Sequence, residues 1–160
     1  MIKHIDSIEL LNQYRIELTY LFDSYAKSLK VKGFKKEVTG KKIWEWMLKN
    51  FMIPNSALIV YEVDGKLFFF TFVVADSEPD IFGNKSAFIK HTHIKKQNEG
   101  HKTIWNEGLE WVDKFREKHG CDYLYCESFR NRKPFMEKLK KSGFEPAHWT
   151  LYFEKKTTEV

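Results

Sequence analysis

Between residues 86 and 153 the chain reads as a strand, a glycine-containing turn, a long helix, a second strand, a second helix and a final strand. The alternating run 87–94 supplies the first strand, and the helically spaced run 103–118 supplies the long helix. Between them stand Gln97, Asn98, Glu99, Gly100, His101 and Lys102. A turn that leaves a strand and opens a helix presents backbone N–H groups to whatever sits above it, an arrangement that suits a phosphate. The rival reading is an ordinary strand–helix connection with a glycine cap. Farther on, residues 135–144 close a helix with Gly143-Phe144 and lead into the apolar run 149–153.

The N-terminal half supplies the partners for these elements. Ile2–Ile5 alternates as a first strand, and Asp6 or Ser7 caps the helix that follows. Leu11, Leu18, Leu21, Phe22, Tyr25 and Leu29 recur at helical spacing and predict one helix. Thr39 caps a second helix carrying Ile43, Trp44, Met47, Leu48 and Phe51, which Pro54-Asn55 stops. Residues 57–63 and 66–74 read as strands joined by an Asp64-Gly65 hairpin, because both turn residues need positive φ. The second of these strands is nearly all apolar through Phe68-Phe69-Phe70, as expected of a central strand covered on both faces. The whole order predicts a mixed α/β sheet in one domain spanning residues 1–160.

At 160 residues the chain is long enough for one proper core, and 42% hydrophobic content argues against disorder. No apolar stretch reaches membrane-spanning length, and the first eleven residues lack a signal-peptide pattern, so a cytoplasmic protein is expected. Cys121 and Cys126 lie five apart, so strand alternation points them to opposite faces and predicts reduced thiols with no metal. The net charge of +5 permits an acidic partner without requiring one.

In this order the pieces resemble the GNAT superfamily of N-acetyltransferases, by motif over the C-terminal half and by element order over the rest. Gln97 and Gly100 match that family's acyl-CoA signature, in which Gln or Arg is followed three residues later by Gly. Lys102 stands where the family usually has a small residue. The ending through Gly143-Phe144 is similar to the family's helix–Gly-Phe–strand close, with Asn131 where an Asn often precedes that helix.

The resemblance implies a mixed, mostly antiparallel central sheet flanked by helices. It implies an acyl-CoA-dependent N-acyltransferase, acetyl-CoA being the expected donor, that passes an acyl group directly to an amine. It further implies that His93 and Ile94 offer backbone groups to the pantetheine arm of the cofactor. Gln97, Asn98, Glu99, Gly100, His101, Lys102 and Thr103 would surround its phosphates, and Asn131 would bond the arm or cap the last helix. Family members often place a proton-donating Tyr four residues before the closing Gly; here that position is Leu139.

Removing a proton from the attacking amine calls for a base. His91 and His93 are two apart and share a strand face, and an imidazole titrates near neutrality. Glu127, a carboxylate inside the otherwise apolar-aromatic strand read over 123–128, is the other candidate. The family's first two helices and their loop often wall the acceptor site, which nominates Tyr25, Trp44, Trp46, Lys35 and Lys36. The basic segment 27–42 would suit an anionic acceptor, such as an acidic peptide, a phosphorylated metabolite or a nucleic acid, or it is a solvated loop. Two alternatives stay open: a GNAT-fold binding module without catalysis, and a nucleic-acid-directed protein using the basic loop. A monomer or homodimer is expected.

Overall fold

The Asp64-Gly65 turn sets the register of the sheet. Both residues have positive φ, 50° and 76°, so the turn twists with its strands rather than against them. It joins β2 (Ser56–Val63) to β3 (Lys66–Ala75), with Val63 opposite Lys66. The computed structural model describes residues 1–29, 37–96, 100–126 and 133–145. Strand β1 (Ile2–Ile5) flanks β2, and β4 (Ser86–Ile94) flanks β3, all antiparallel. Beyond β4 lies β5 (Tyr123–Cys126), which runs parallel to it. The order is therefore β1-β2-β3-β4-β5 with β3 at the centre, and the sheet is mixed but mostly antiparallel.

Helices cover both faces of β3, as its apolar sequence demands. On one side Phe70 meets Phe22 and Tyr25 edge-on, at ring-centroid distances of 5.0 and 5.3 Å. These two come from α2 (Arg15–Ser28), which packs against α3 (Gly40–Asn50). On the other side Phe69 meets Trp105 of α4 (His101–Lys118). A Cβ at Gly108 would lie 2.6 Å from the Phe69 ring, so α4 approaches the sheet only because this position has no side chain. Phe69 is fully buried and has nowhere to retreat. Gly108→Val is expected to cost about 3 kcal/mol through overpacking and the helix penalty of a β-branched residue. Thermal unfolding reads this directly, and an unchanged melting temperature would remove the close-approach account.

The single helix expected from Leu11 to Leu29 is two. After α1 (Ile8–Gln13), capped by the Ser7 hydroxyl, Tyr14 leaves the helical region at φ −90° and ψ 7° before α2 begins. The reason is tertiary. Tyr14 turns inward, donates its hydroxyl to Glu62 Oε2, and accepts from Lys3 Nζ at 2.7 Å. Lys3 also reaches Glu62 at 2.9 Å. The Tyr14 hydrogen bond, then that of Lys3, holds the Glu62 carboxyl below its ordinary pKa.

The chain divides into two compact units, residues 1–130 and 131–160. In the second, α5 (Lys133–Lys141) ends where Gly143 N donates to Lys140 O and Phe144 N to Leu139 O. This paired close is the Gly-Phe helix ending expected from the sequence. The expected strand at 149–153 lies outside the described residues. Among the described residues, no helix is long and apolar enough to cross a membrane.

Candidate active site

The centre of β4 carries an extra residue. Phe72 pairs with His91, but the next residue, Val73, pairs with Ile89, so Lys90 is the bulge. Phe70 and Phe72 share a face and pair with His93 and His91, which therefore lie on the α2 side of the sheet. There α2 meets both rings. The Tyr25 hydroxyl lies 3.1 Å from His91 Nδ1, and Ser24 Oγ lies 2.8 Å from His93 Nε2. Helix α3 adds Trp46, whose ring stands edge-on to His91 at 4.8 Å and to Phe72 at 5.5 Å. His93 is 8% exposed, whereas His91 is half-buried and Trp46 remains 40% exposed. The site thus grades from a buried histidine to an accessible one beside an open indole.

The same strand leads to the turn. Ile94 ends β4, and Lys95 N still donates to Phe68 O. Gly100 then takes a left-handed conformation, φ 71° and ψ −4°, and its carbonyl accepts the bond from Ile104 N that opens α4. Only glycine adopts this conformation without strain. No side chain caps the helix at that position, and the first turn has no acidic residue. His101, Lys102 and Thr103 form this turn, with Lys102 and Thr103 exposed. First-turn N–H groups have no acceptor inside their own helix, and here they stand at the positive end of an 18-residue helix. The residues present therefore fit an anion such as a pyrophosphate: a missing side chain, backbone donors and a nearby lysine.

Gln97, Asn98, Glu99, Glu127, Asn131, Lys35 and Lys36 lie outside the described residues. Trp44 is 9% exposed and joins the α2–α3 core, with Phe22 at 6.5 Å and the Arg15 guanidinium over its ring at 5.7 Å. Two helix positions on, Trp46 faces His91 instead. Tyr25, nominated for the acceptor wall, is buried and reaches His91 as a hydrogen-bond partner. Ser24 was not anticipated; nothing in a lone serine between Asp23 and Tyr25 announces a partner on β4. Of the basic segment, Lys27, Lys41 and Lys42 are described and exposed, and Lys41 lies 3.9 Å from Glu45. Among the described residues, no group of three or more His, Cys, Asp or Glu side chains could hold a metal ion. Cys121 and Cys126 are not joined in a disulfide; burial raises the pKa of Cys121, which precedes β5 rather than lying on it.

No protein-family pattern matches the sequence, and no curated protein is significantly similar to it. Solved structures do match in three dimensions. A ribosomal-protein-alanine N-acetyltransferase from Brucella melitensis biovar Abortus superposes with a TM-score of 0.65 at 16% identity, covering 97% of this chain and 99% of that one. An aminoglycoside 6′-N-acetyltransferase from Acinetobacter haemolyticus gives 0.72 at 9% identity, with 99% of both chains covered. An aminoglycoside acetyltransferase from an uncultured soil metagenomic sample, solved with trehalose, gives 0.63 at 14% identity, covering 99% of this chain and 96% of its own. At these identities the likeness speaks for the architecture, and with the order β1-β2-β3-β4-β5 and the strand–turn–helix at Gly100 it leads to one conclusion: the chain has the GNAT acetyltransferase fold.

Proposed function

We propose that this protein is an acetyl-CoA-dependent N-acetyltransferase that passes the acetyl group directly to an amine. The observation that carries the reading is that one strand, β4, bears His91 at its bulge and ends in the Gly100 turn at the start of α4. Bound acetyl-CoA would supply an activated acyl thioester. His93 and Ile94 would offer backbone groups to its arm, and the N–H groups of His101, Lys102 and Thr103 would hold its phosphates. Lys102 adds a cation at that turn.

His91 serves as the base. In the tautomer that donates Nδ1–H to Tyr25 Oη, 3.1 Å away, Nε2 would be the atom that takes the amine proton. Transfer would join the amine nitrogen to the acyl carbon at the expense of the carbon–sulfur bond, with the amine proton passing to His91 and the CoA thiolate leaving. Leu139 cannot protonate the departing thiolate, so the thiolate would leave as the anion and take its proton from water. The same leucine favours the second reading, a GNAT-fold module that binds without catalysing.

Calorimetric titration with acetyl-CoA, with thermal unfolding in parallel, tests the reading. Binding with a micromolar Kd and a rise in melting temperature is expected, since a ligand selective for the folded state must stabilise it. No heat and no shift at millimolar ligand would overturn the cofactor assignment. Binding without acetyl transfer to any amine would favour the module.

A further inference from the structure

Gly40 and Gly108 each stand where a helix closes on its neighbour. Gly108 lets α4 approach Phe69 on one face of the sheet. Gly40 acts on the other face, where α3 meets α2. It is buried and heads the stripe Gly40, Trp44, Met47 that α3 turns inward. Its φ is not positive, and Thr39 already caps the helix, so the backbone itself asks for no glycine. What asks for glycine is space. A Cβ at this position would lie 2.0 Å from Asp23 Oδ1, 2.7 Å from Asp23 Cγ and 2.8 Å from the Asp23 backbone nitrogen. The carboxylate can rotate away, but the backbone nitrogen cannot. A side chain at position 40 therefore forces α2 and α3 apart by roughly half an ångström or more, the shortfall from ordinary van der Waals contact.

Both helices lead from this contact to His91. On α2, Asp23 is followed by Ser24, which bonds His93, and by Tyr25, whose hydroxyl stands 3.1 Å from His91 Nδ1. On α3, Trp46 lies about 9 Å along the helix from Gly40 and meets the His91 ring edge-on at 4.8 Å. Whichever helix gives way, one wall of that ring moves: Tyr25 with α2, or Trp46 with α3. The margin is small. A contact stretched to about 3.6 Å is no longer a hydrogen bond, and 3.1 Å lies only half an ångström short of that. We infer that Gly40 is a positioning residue for His91: by letting α3 close on Asp23, it sets how near Tyr25 and Trp46 come to the ring. The effect on turnover rests on the acetyltransferase reading of His91. The effect on the ring does not, since these contacts exist in the protein without a ligand.

The test is Gly40→Ala in the full-length protein without ligand. Gly108→Ala serves as the control, because its Cβ would meet the Phe69 ring at 2.6 Å on the opposite face. NMR follows the His91 imidazole through its pH titration and its cross-peaks to the Tyr25 and Trp46 rings. Both variants should melt at a lower temperature than the parent. Only Gly40→Ala should weaken a His91 cross-peak and move the midpoint of the titration, by at least about 0.3 pH unit. Where turnover is measured, its kcat should fall by about tenfold with the KM for acetyl-CoA nearly unchanged. In a Tyr25→Phe, Trp46→Ala background, where both walls are already altered, adding Gly40→Ala should change the titration little further. If Gly40→Ala alone does not fold, Gly40→Ala with Asp23→Ala removes the two side-chain clashes and keeps the backbone one. That pair should show the same changes in smaller measure. A folded Gly40→Ala or paired variant with the parent's cross-peaks and titration would overturn the inference. So would an equal change in Gly108→Ala, which would mean general loosening. A changed ring in a protein that transfers acetyl to no amine would uphold the positioning role and count against the acetyltransferase reading.

Discussion

Gly100→Asp is expected to weaken acetyl-CoA binding by at least about 100-fold while the protein stays folded. The position has φ 71°, and among residues with a Cβ, Asp and Asn are those that best tolerate the left-handed region. Folding should therefore survive with a small loss of stability. Binding should not, for two separable reasons. Any side chain at this position fills space that a phosphate would need if it is to reach the N–H groups of His101, Lys102 and Thr103. A carboxylate also sets a negative charge beside the anion it should admit, and competes for the same helix-end donors. Gly100→Asn isolates the first effect, so its loss should be clearly smaller. Calorimetry on both variants, with circular dichroism to confirm folding, reads the difference. A folded Asp variant that binds acetyl-CoA as tightly as the parent would eliminate the phosphate cradle.

That prediction draws on a part of the chain that was largely legible in advance. The alternation in 87–94, the glycine and the helical run after it mark β4, its turn and α4, because each rests on local preferences. The Asp64-Gly65 hairpin and the Gly-Phe close of α5 are local in the same way. What sequence concealed was set by distant partners. The kink at Tyr14 follows from Glu62, 48 residues away. The Lys90 bulge has no signature, since one inserted residue is invisible until a partner strand counts it. Trp44 and Trp46 are chemically alike and differ only in helix rotation. Trp44 falls on the stripe with Met47 that packs on α2, and Trp46 falls off it and meets His91. His91 and His93 were legible as a same-face pair, but their unequal burial and separate partners, Tyr25 and Ser24, were not.

That inequality gives the second large effect. His91→Gln should lower kcat by about 100- to 10,000-fold with the KM for acetyl-CoA nearly unchanged, because glutamine fills a similar volume but accepts no proton near neutral pH. His93→Gln should behave differently. Its imidazole is buried and bonded to Ser24, so its loss should appear chiefly as a lower melting temperature, through an unmet polar group against α2. Tyr25→Phe separates positioning from proton transfer. It keeps the ring that packs on Phe70 but removes the hydroxyl beside His91 Nδ1, so kcat should fall by about tenfold while the fold holds. The control measurement is the pH profile of kcat/KM. In the parent it should have an ascending limb where an imidazole must lose its proton before it can act as a base, and that limb should vanish in His91→Gln. The outcome that would refute the assignment is a folded His91→Gln enzyme that keeps both its turnover and that limb, since the proton would then be leaving through another group.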